Sequence, residues 1–324
     1  ERVLKGDLHS PKKFRIRWSE YVGELKDWIE KEANVSLDVE ELSDLLLSTC
    51  RSNDFNVIIQ KDKKLFLNKD RIIYWVKEKL IPNTVIVALD DEDVIRLLIF
   101  CIEITYQMFS GGTRATVMQK GFRQSRRTFE EILVDQFIGK FGEVITKKFL
   151  EKNFPVKIEL DWEISTDIEK FRNDIVNSFK KVSIKSSPAL TGIWAEADVG
   201  YDYGICVKCS LPQPILIQFF IEVCGFSRLL DFAEKNIPFE DDRFRNYLGT
   251  MRMRVSNYKC GEIQSKAKGF VCGYFKTSKN KIKKLGEELD YMGEVREERY
   301  LVTINKLKYK KDDWVEFLSK TKLM

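Results

Sequence analysis

Apolar residues recur at helical or strand spacing along most of the chain, and the pattern predicts its elements in order. Residues 18–33, WSEYVGELKDWIEKEA, set Trp18, Tyr21, Leu25, Trp28 and Ile29 on one helical stripe, and a second helix opens after Ser36 to Asp38 with Leu42, Leu45, Leu46 and Leu47. Residues 57–68, VIIQKDKKLFLN, read as a hairpin with a charged turn, 71–80 as a helix and 83–89, NTVIVAL, as a strand. The stretch 90–109 reads as a long helix whose leading acids, Asp90 to Asp93, sit at the positive end of its dipole. No repeat or low-complexity tract interrupts this order. The first third therefore predicts a mostly helical N-terminal domain, residues 1–110, ending near Gly111-Gly112, with DNA binding as its candidate role.

Thr128, with Glu131 three residues later, forms a capping box, and Ile132, Leu133, Phe137, Phe141, Val144, Ile145 and Phe149 carry a stripe to about Leu150. Beyond Pro155, KIELDWEI reads as a strand, KKVSIKSS (180–187) as another, YDYGICVKC (201–209) as a third, and PILIQFFIEVCGF (214–226) as a buried apolar element. Helix, strand pair, strand and buried segment predict an α/β core in residues 111–324. The C-terminal stretches KGFVCGYFKTS and RYLVTINKLKYK alternate like a basic, β-rich sheet extension.

Composition narrows the function classes. A chain of 324 residues favours two domains or one enlarged core, and 44% hydrophobic with 12% aromatic residues is too apolar for disorder. No apolar run reaches the roughly 18 residues of a membrane span, so no membrane partner is expected. Seven cysteines in a chain of this length suggest reduced thiols and a cytoplasmic protein. A single histidine, His9, sits in a polar N-terminal stretch and disfavours Ser-His-Asp, Cys-His and HExxH chemistry. Carboxylates and lysine are left to carry any catalysis.

Net charge is only +5, yet it is unevenly spread. Residues 111–127 hold Arg114, Lys120, Arg123, Arg126 and Arg127 with no acid, and 251–284 hold ten basic residues, among them Arg252, Arg254, Lys266 and Lys268, against Glu262 alone. Clustered cations in a nearly neutral chain are what a phosphate-binding surface requires. Cys206-x-x-Cys209 lacks a second such pair or a nearby histidine, which favours buried thiols over a zinc site.

Glu143 lies on the helix that follows the capping box, Asp174 precedes two β-branched residues, and Lys185 alternates with apolar Val182 and Ile184. Strand geometry puts Ser183 and Lys185 on one face and lets Asp174, on the neighbouring element, reach Lys185. Carboxylates clustered beside one ammonium suit a magnesium ion and an attacking water, the equipment of a phosphodiester hydrolase.

On these residues, the segment 140–200 resembles the PD-(D/E)XK nuclease superfamily, and within it the type II restriction endonucleases. Glu143 in GKFGEV matches the glutamate of the upstream helix, Asp174 in RNDIV the motif aspartate and Lys185 in VSIK the motif lysine. Asn173 stands where the family has proline, and Ser183 where it has an acid. Some restriction enzymes share this S-x-K variant and take the missing carboxylate from a later position, on the helix that follows. Here that implies Glu196 of WAEAD, with Asp198 second.

The resemblance implies a restriction-endonuclease-like core and Mg2+ held by Asp174, Glu196 and Glu143, with Lys185 positioning or deprotonating water. Arg114, Arg123, Arg126 and Arg127 are then expected to grip phosphates, and the segment around Arg252, Arg254, Lys266 and Lys268 to contribute recognition. Double-stranded DNA, a homodimer and a cognate DNA methyltransferase as functional partner follow from the same resemblance. The alternatives are a non-cleaving DNA-binding protein in which Ser183 marks a decayed site, and a structure- or modification-directed nuclease.

Overall fold

The computed structural model of the chain describes residues 58–61, 64–89, 91–110, 129–162, 173–211, 266–289 and 292–324, with scattered positions between 23 and 48 and between 235 and 253. It divides into two compact units, one formed by residues 1–85, 138–210 and 269–324, the other by 86–137 and 211–268. The fold is mixed α/β, with a mixed sheet flanked by helices. Among the described residues no helix is long and apolar enough to cross a membrane.

In the first unit, Asp38 and Glu41 cap each other reciprocally: the Glu41 amide donates to Asp38 Oδ1 at 2.6 Å and the Asp38 amide to Glu41 Oε2 at 3.0 Å. Strands β1 (Ile58–Lys61) and β2 (Lys64–Leu67) form the charged hairpin, paired antiparallel from Ile58↔Leu67 to Lys61↔Lys64. Helix α1 (Lys69–Trp75), capped by Asn68, winds on into a π turn over Val76–Leu80. Asn83 and Thr84 then return side-chain hydrogen bonds of 2.8 and 2.6 Å to the freed carbonyls of Lys79 and Leu80. Leu25, Ile29, Leu42 and Leu46 bury against Ile72 and Trp75.

Strand β3 (Thr84–Ala88) leads toward the second unit, where helix α2 (Glu92–Ser110) buries Val94, Leu97, Leu98 and Cys101 at helical spacing. Asp91 caps this helix, its carbonyl accepting the Val94 and Ile95 amides at 2.9 Å. Helix α3 (Phe129–Asn153) follows, with Phe141, Val144 and Ile145 fully buried.

The site-bearing framework is a four-stranded sheet of order β3, β7 (Lys266–Lys276), β6 (Tyr203–Ser210) and β4 (Val182–Ser187). Strands β4 and β6 are parallel, in register from Val182↔Tyr203 to Ser187↔Lys208. Strand β7, which the alternation suggested as an extension, is an inner strand buried along nearly all its length. Helix α3 packs on one face, so closely that a Cβ at Gly142 would lie 2.5 Å from Ser186 Cβ and one at Gly269 only 2.4 Å from Ile145 Cγ2. Helix α4 (Lys311–Thr321) joins that face through Trp314 and Phe317, which meet Phe149, Tyr203 and Tyr274 edge-on or tilted.

The opposite face carries a three-stranded sheet whose middle strand, β11 (Arg299–Thr303), pairs antiparallel with β5 (Trp194–Asp198) and β8 (Ile282–Lys283). Two short strands, β9 (Glu288–Leu289) and β10 (Gly293–Glu294), form a separate ribbon. Ala195 and Ala197 of β5 bury with Cys206, Cys272 and Phe275, and Gly204 is the gap that admits Ala197 and the Phe275 ring. WAEAD is thus a strand, not the helix that the resemblance implied, because its alanines alternate with Trp194, Glu196 and Asp198 and only a two-residue period buries one set. The apolar segment 214–226 lies outside the described residues.

Candidate active site

Asp174 sits against the free edge of β4, the outermost strand of its sheet. Its amide donates to the Val182 carbonyl at 3.2 Å, and its Oδ2 accepts the Ile184 amide at 2.6 Å. The neighbouring Asn173 builds the turn that permits this. Asn173 Oδ1 accepts the Val182 amide at 3.0 Å, while its Nδ2 donates to the carbonyls of Ser178 and Lys180 at 3.3 and 3.2 Å. A proline in that position has no side-chain amide to pin the loop; asparagine folds it by hydrogen bonds. Burial raises the Asp174 carboxyl above its ordinary range, against the pull of the Ile184 amide and the Lys185 and Lys140 charges.

Glu143 approaches from helix α3. The close packing at Gly142 allows Ser186 to donate to the Ile138 carbonyl at 2.5 Å, which draws the helix onto β4. Glu143 is buried, and its carboxyl is pushed up to about 8, first by that burial and then by the negative charge of Asp174, with Lys140 opposing. Lys140 Nζ donates to Glu143 Oε2 at 2.6 Å and to the Asp161 carbonyl, and lies 5.2 Å from the Trp162 ring centroid.

Lys185 projects to the other face of β4, where Asp198 Oδ2 lies 2.6 Å from its Nζ. Glu196 shares that side of β5 but is engaged by Arg299, whose Nη1 lies 2.5 Å from Glu196 Oε2. Arg299 also spans Asp198 Oδ1 at 3.9 Å and Glu297 Oε2 at 2.8 Å. Of the two WAEAD acids, then, Asp198 contacts Lys185 and Glu196 is held by Arg299 of β11. Tyr201, which closes the β5–β6 connection, has its phenol held above the ordinary range by burial and by the charges of Asp174, Asp198 and Glu143.

The fold therefore gathers Glu143, Asp174, Lys185 and Asp198 around one sheet edge. Lys140, Tyr201 and Arg299 are functional candidates that sequence reasoning missed. Lys140 carried a signal, being three residues before Glu143 and so one helical turn away, whereas Arg299 is brought in by a strand pairing across a hundred residues. Among the described residues, no group of three or more His, Cys, Asp or Glu side chains is arranged to hold a metal ion. Ser183, where the resemblance expects an acid, is buried and its hydroxyl has no hydrogen-bond partner among the described residues.

Lys266 is exposed at the end of β7, whereas Lys268, two residues further on, lies in the stretch of the strand that is buried on both faces and offers no surface ammonium to a phosphate. Arg114, Arg123, Arg126, Arg127, Arg252, Arg254 and His9 lie outside the described residues. Cys206 and Cys209 are buried free thiols. No protein-family model, no curated protein and no solved structure matches this chain.

Proposed function

We propose that this chain is a metal-dependent endonuclease that hydrolyses phosphodiester bonds in double-stranded DNA, a type II restriction endonuclease with a restriction-endonuclease-like core and a specific short site. The observation that carries the reading is Asp174, fixed at an open sheet edge with Glu143 on one side and the Lys185–Asp198 pair on the other.

The donor set suits Mg2+. Glu143 and Asp174 are hard oxygen donors, and the negative charge of Asp174 adds to burial in favouring protonation of Glu143, a repulsion that a cation between them would relieve. One oxygen of each is taken, by Lys140 and by the Ile184 amide, which leaves the second for a ligand. Asp174 and Glu143 would hold the ion, with Asp198 and Asp161 the further acids whose charges reach them and Glu196 committed to Arg299. A magnesium ion there would supply Lewis acidity and an acidified water.

The chain's own groups have separable tasks. Lys185 places an ammonium where charge accumulates on the phosphoryl oxygens, and Asp198 fixes its position. Glu143, its carboxyl pushed up to about 8 by burial and by Asp174, favours its protonated form at neutral pH and would have to ionise to hold the ion. Tyr201 stays protonated and so remains a hydrogen-bond donor. Recognition of a palindromic site calls for a two-fold dimer, and protection of the host genome for a cognate methyltransferase.

Ser183 in place of the acid favours a second reading, a DNA-binding protein without cleavage. The two separate in one experiment on the full chain: plasmid relaxation with and without Mg2+, alongside salt-dependent DNA binding. Metal-dependent cutting supports the enzyme, and salt-sensitive binding without cutting supports the module.

A further inference from the structure

Outside the carboxylate cluster, the other concentration of reactive side chains lies on the inner strands of the main sheet. Cys206 on β6 and Cys272 on β7 occupy neighbouring strands and the same apolar cluster, beneath Ala195 and Ala197. The Cys206 thiol donates a hydrogen bond to Cys272, which also accepts the backbone amide of Lys208. A thiol–thiol hydrogen bond between adjacent strands brings the two sulfurs together, and a disulfide spans Cα atoms about 4.4 to 6.8 Å apart. Lys208, two residues along β6 from Cys206, is buried with its Nζ 2.7 Å from the Ala189 carbonyl; burial favours its neutral form, and the charges of Cys272 and Cys206 favour its ammonium.

Among the described cysteines, exposure distinguishes this pair. Cys101 and Cys209 are sealed, at 0% and 1% exposure, whereas Cys206 and Cys272 retain 6% and 8%. The residual exposure of the described thiols is concentrated on these two. Next to Cys272, Gly273 adopts φ +130°, where a Cβ would lie 2.5 Å from the Lys308 carbonyl oxygen, so only glycine permits the local backbone that aims Cys272 inward.

We propose that Cys206 and Cys272 form a reversible redox pair, closed to a disulfide by a hydroperoxide and reopened by a dithiol. The Cys272 sulfur attacks one peroxide oxygen, the O–O bond breaks, and the released hydroxide takes up a proton to leave as water. The resulting sulfenic acid is attacked by the Cys206 sulfur; the S–O bond breaks, a second water leaves, and the two thiols have lost two electrons and two protons to one peroxide. Cys272 is the attacking sulfur because the Cys206 hydrogen bond, aided by Lys208, holds its thiol below the ordinary range against the opposing effect of burial. Lys208 compensates the thiolate charge during attack. Cys206 pairs in register with Lys185, so the bridge would close one strand away from the candidate site, but the pair stands whether or not that site is hydrolytic.

The test treats the reduced full chain with hydrogen peroxide, alkylates remaining thiols and maps linked peptides by mass spectrometry, before and after dithiothreitol. The expected result is a Cys206–Cys272 link in about tenfold excess over any other pair, lost on reduction. Cys272→Ser is expected to abolish the link and Cys209→Ser to leave it unchanged. Separate alkylation of Cys206 and Cys272 after oxidation of the wild-type chain, or links distributed among other cysteines, would overturn the proposal, and this readout does not depend on any variant folding.

Discussion

Lys185 Nζ stands 2.6 Å from Asp198 Oδ2, an ion pair that ties the edge strand of one sheet to a strand of the sheet packed over it. Both side chains keep about a third of their surface in solvent, so the pair is worth no more than about 1 kcal/mol to stability. A contact this cheap to remove is a clean probe of function. Lys185→Ala is expected to reduce plasmid cleavage by about a hundredfold or more while leaving the denaturation midpoint nearly unchanged. A large loss of stability with proportionate loss of cleavage would assign Lys185 a structural role.

The same geometry ranks the two acids of WAEAD. Asp198→Asn removes the partner of Lys185, whereas Glu196→Gln removes a partner of Arg299, which keeps Glu297. Cleavage rates are expected to fall about a hundredfold for the first and less than about tenfold for the second. The reverse order would restore Glu196 as the acid that serves the site.

Glu143 makes stability depend on pH with a definite sign. Its carboxyl moves from an ordinary 4.5 to about 8, so the folded state keeps a proton across that window which the unfolded state has released. Its contribution is complete below the lower value and is lost as pH rises through the upper one. Glu143→Gln, which cannot ionise, is expected to flatten the fall in unfolding free energy between about pH 5 and about pH 9 and to exceed the wild type at the alkaline end. An unchanged slope in urea titrations of the variant would show that Glu143 is already ionised.

Two glycines on α3 give opposite expectations. Gly142→Ala drives a Cβ to 2.5 Å from Ser186 Cβ and 2.9 Å from its Oγ, and is expected to cost about 1 to 3 kcal/mol by pushing the helix off β4. Gly139→Ala meets nothing within 4 Å and is expected to add about 0.5 to 1 kcal/mol through helix propensity. Thermal denaturation of the two variants checks both signs at once.

Ser183 offers a further contrast. Its buried hydroxyl has no partner among the described residues, so Ser183→Ala is expected to be neutral or stabilising by about 1 kcal/mol, and to leave cleavage intact because Asp198 reaches Lys185 from another strand. A hundredfold loss of cleavage in Ser183→Ala would return the motif position to the mechanism.

Much of this fold could be read from local pattern. The hairpin at 57–68, the helices at 90–109 and from Thr128, and the strands around Lys185 and Cys206 were each marked by local apolar pattern and flanking turn residues. WAEAD was harder, because five residues with two alanines carry little periodicity and its strand character comes from pairing with β11. The inner position of β7 was hidden for a related reason: nine consecutive buried residues erase the alternation that marks a one-sided strand. At the site, Glu143, Asp174 and Lys185 were legible from their spacing. Arg299 and the division of labour between Glu196 and Asp198 were not, since they depend on the register of β5 against β11.

The most direct test of the central claim is the rate at which the full chain cuts supercoiled plasmid in Mg2+, compared with Asp174→Asn. The substitution keeps an acceptor for the Ile184 amide and removes only the charge. The account predicts cleavage by the wild type that stops on chelation and falls about a thousandfold in the variant with DNA binding retained. Equal cleavage by the two proteins, or none by the wild type with any divalent ion, would contradict it.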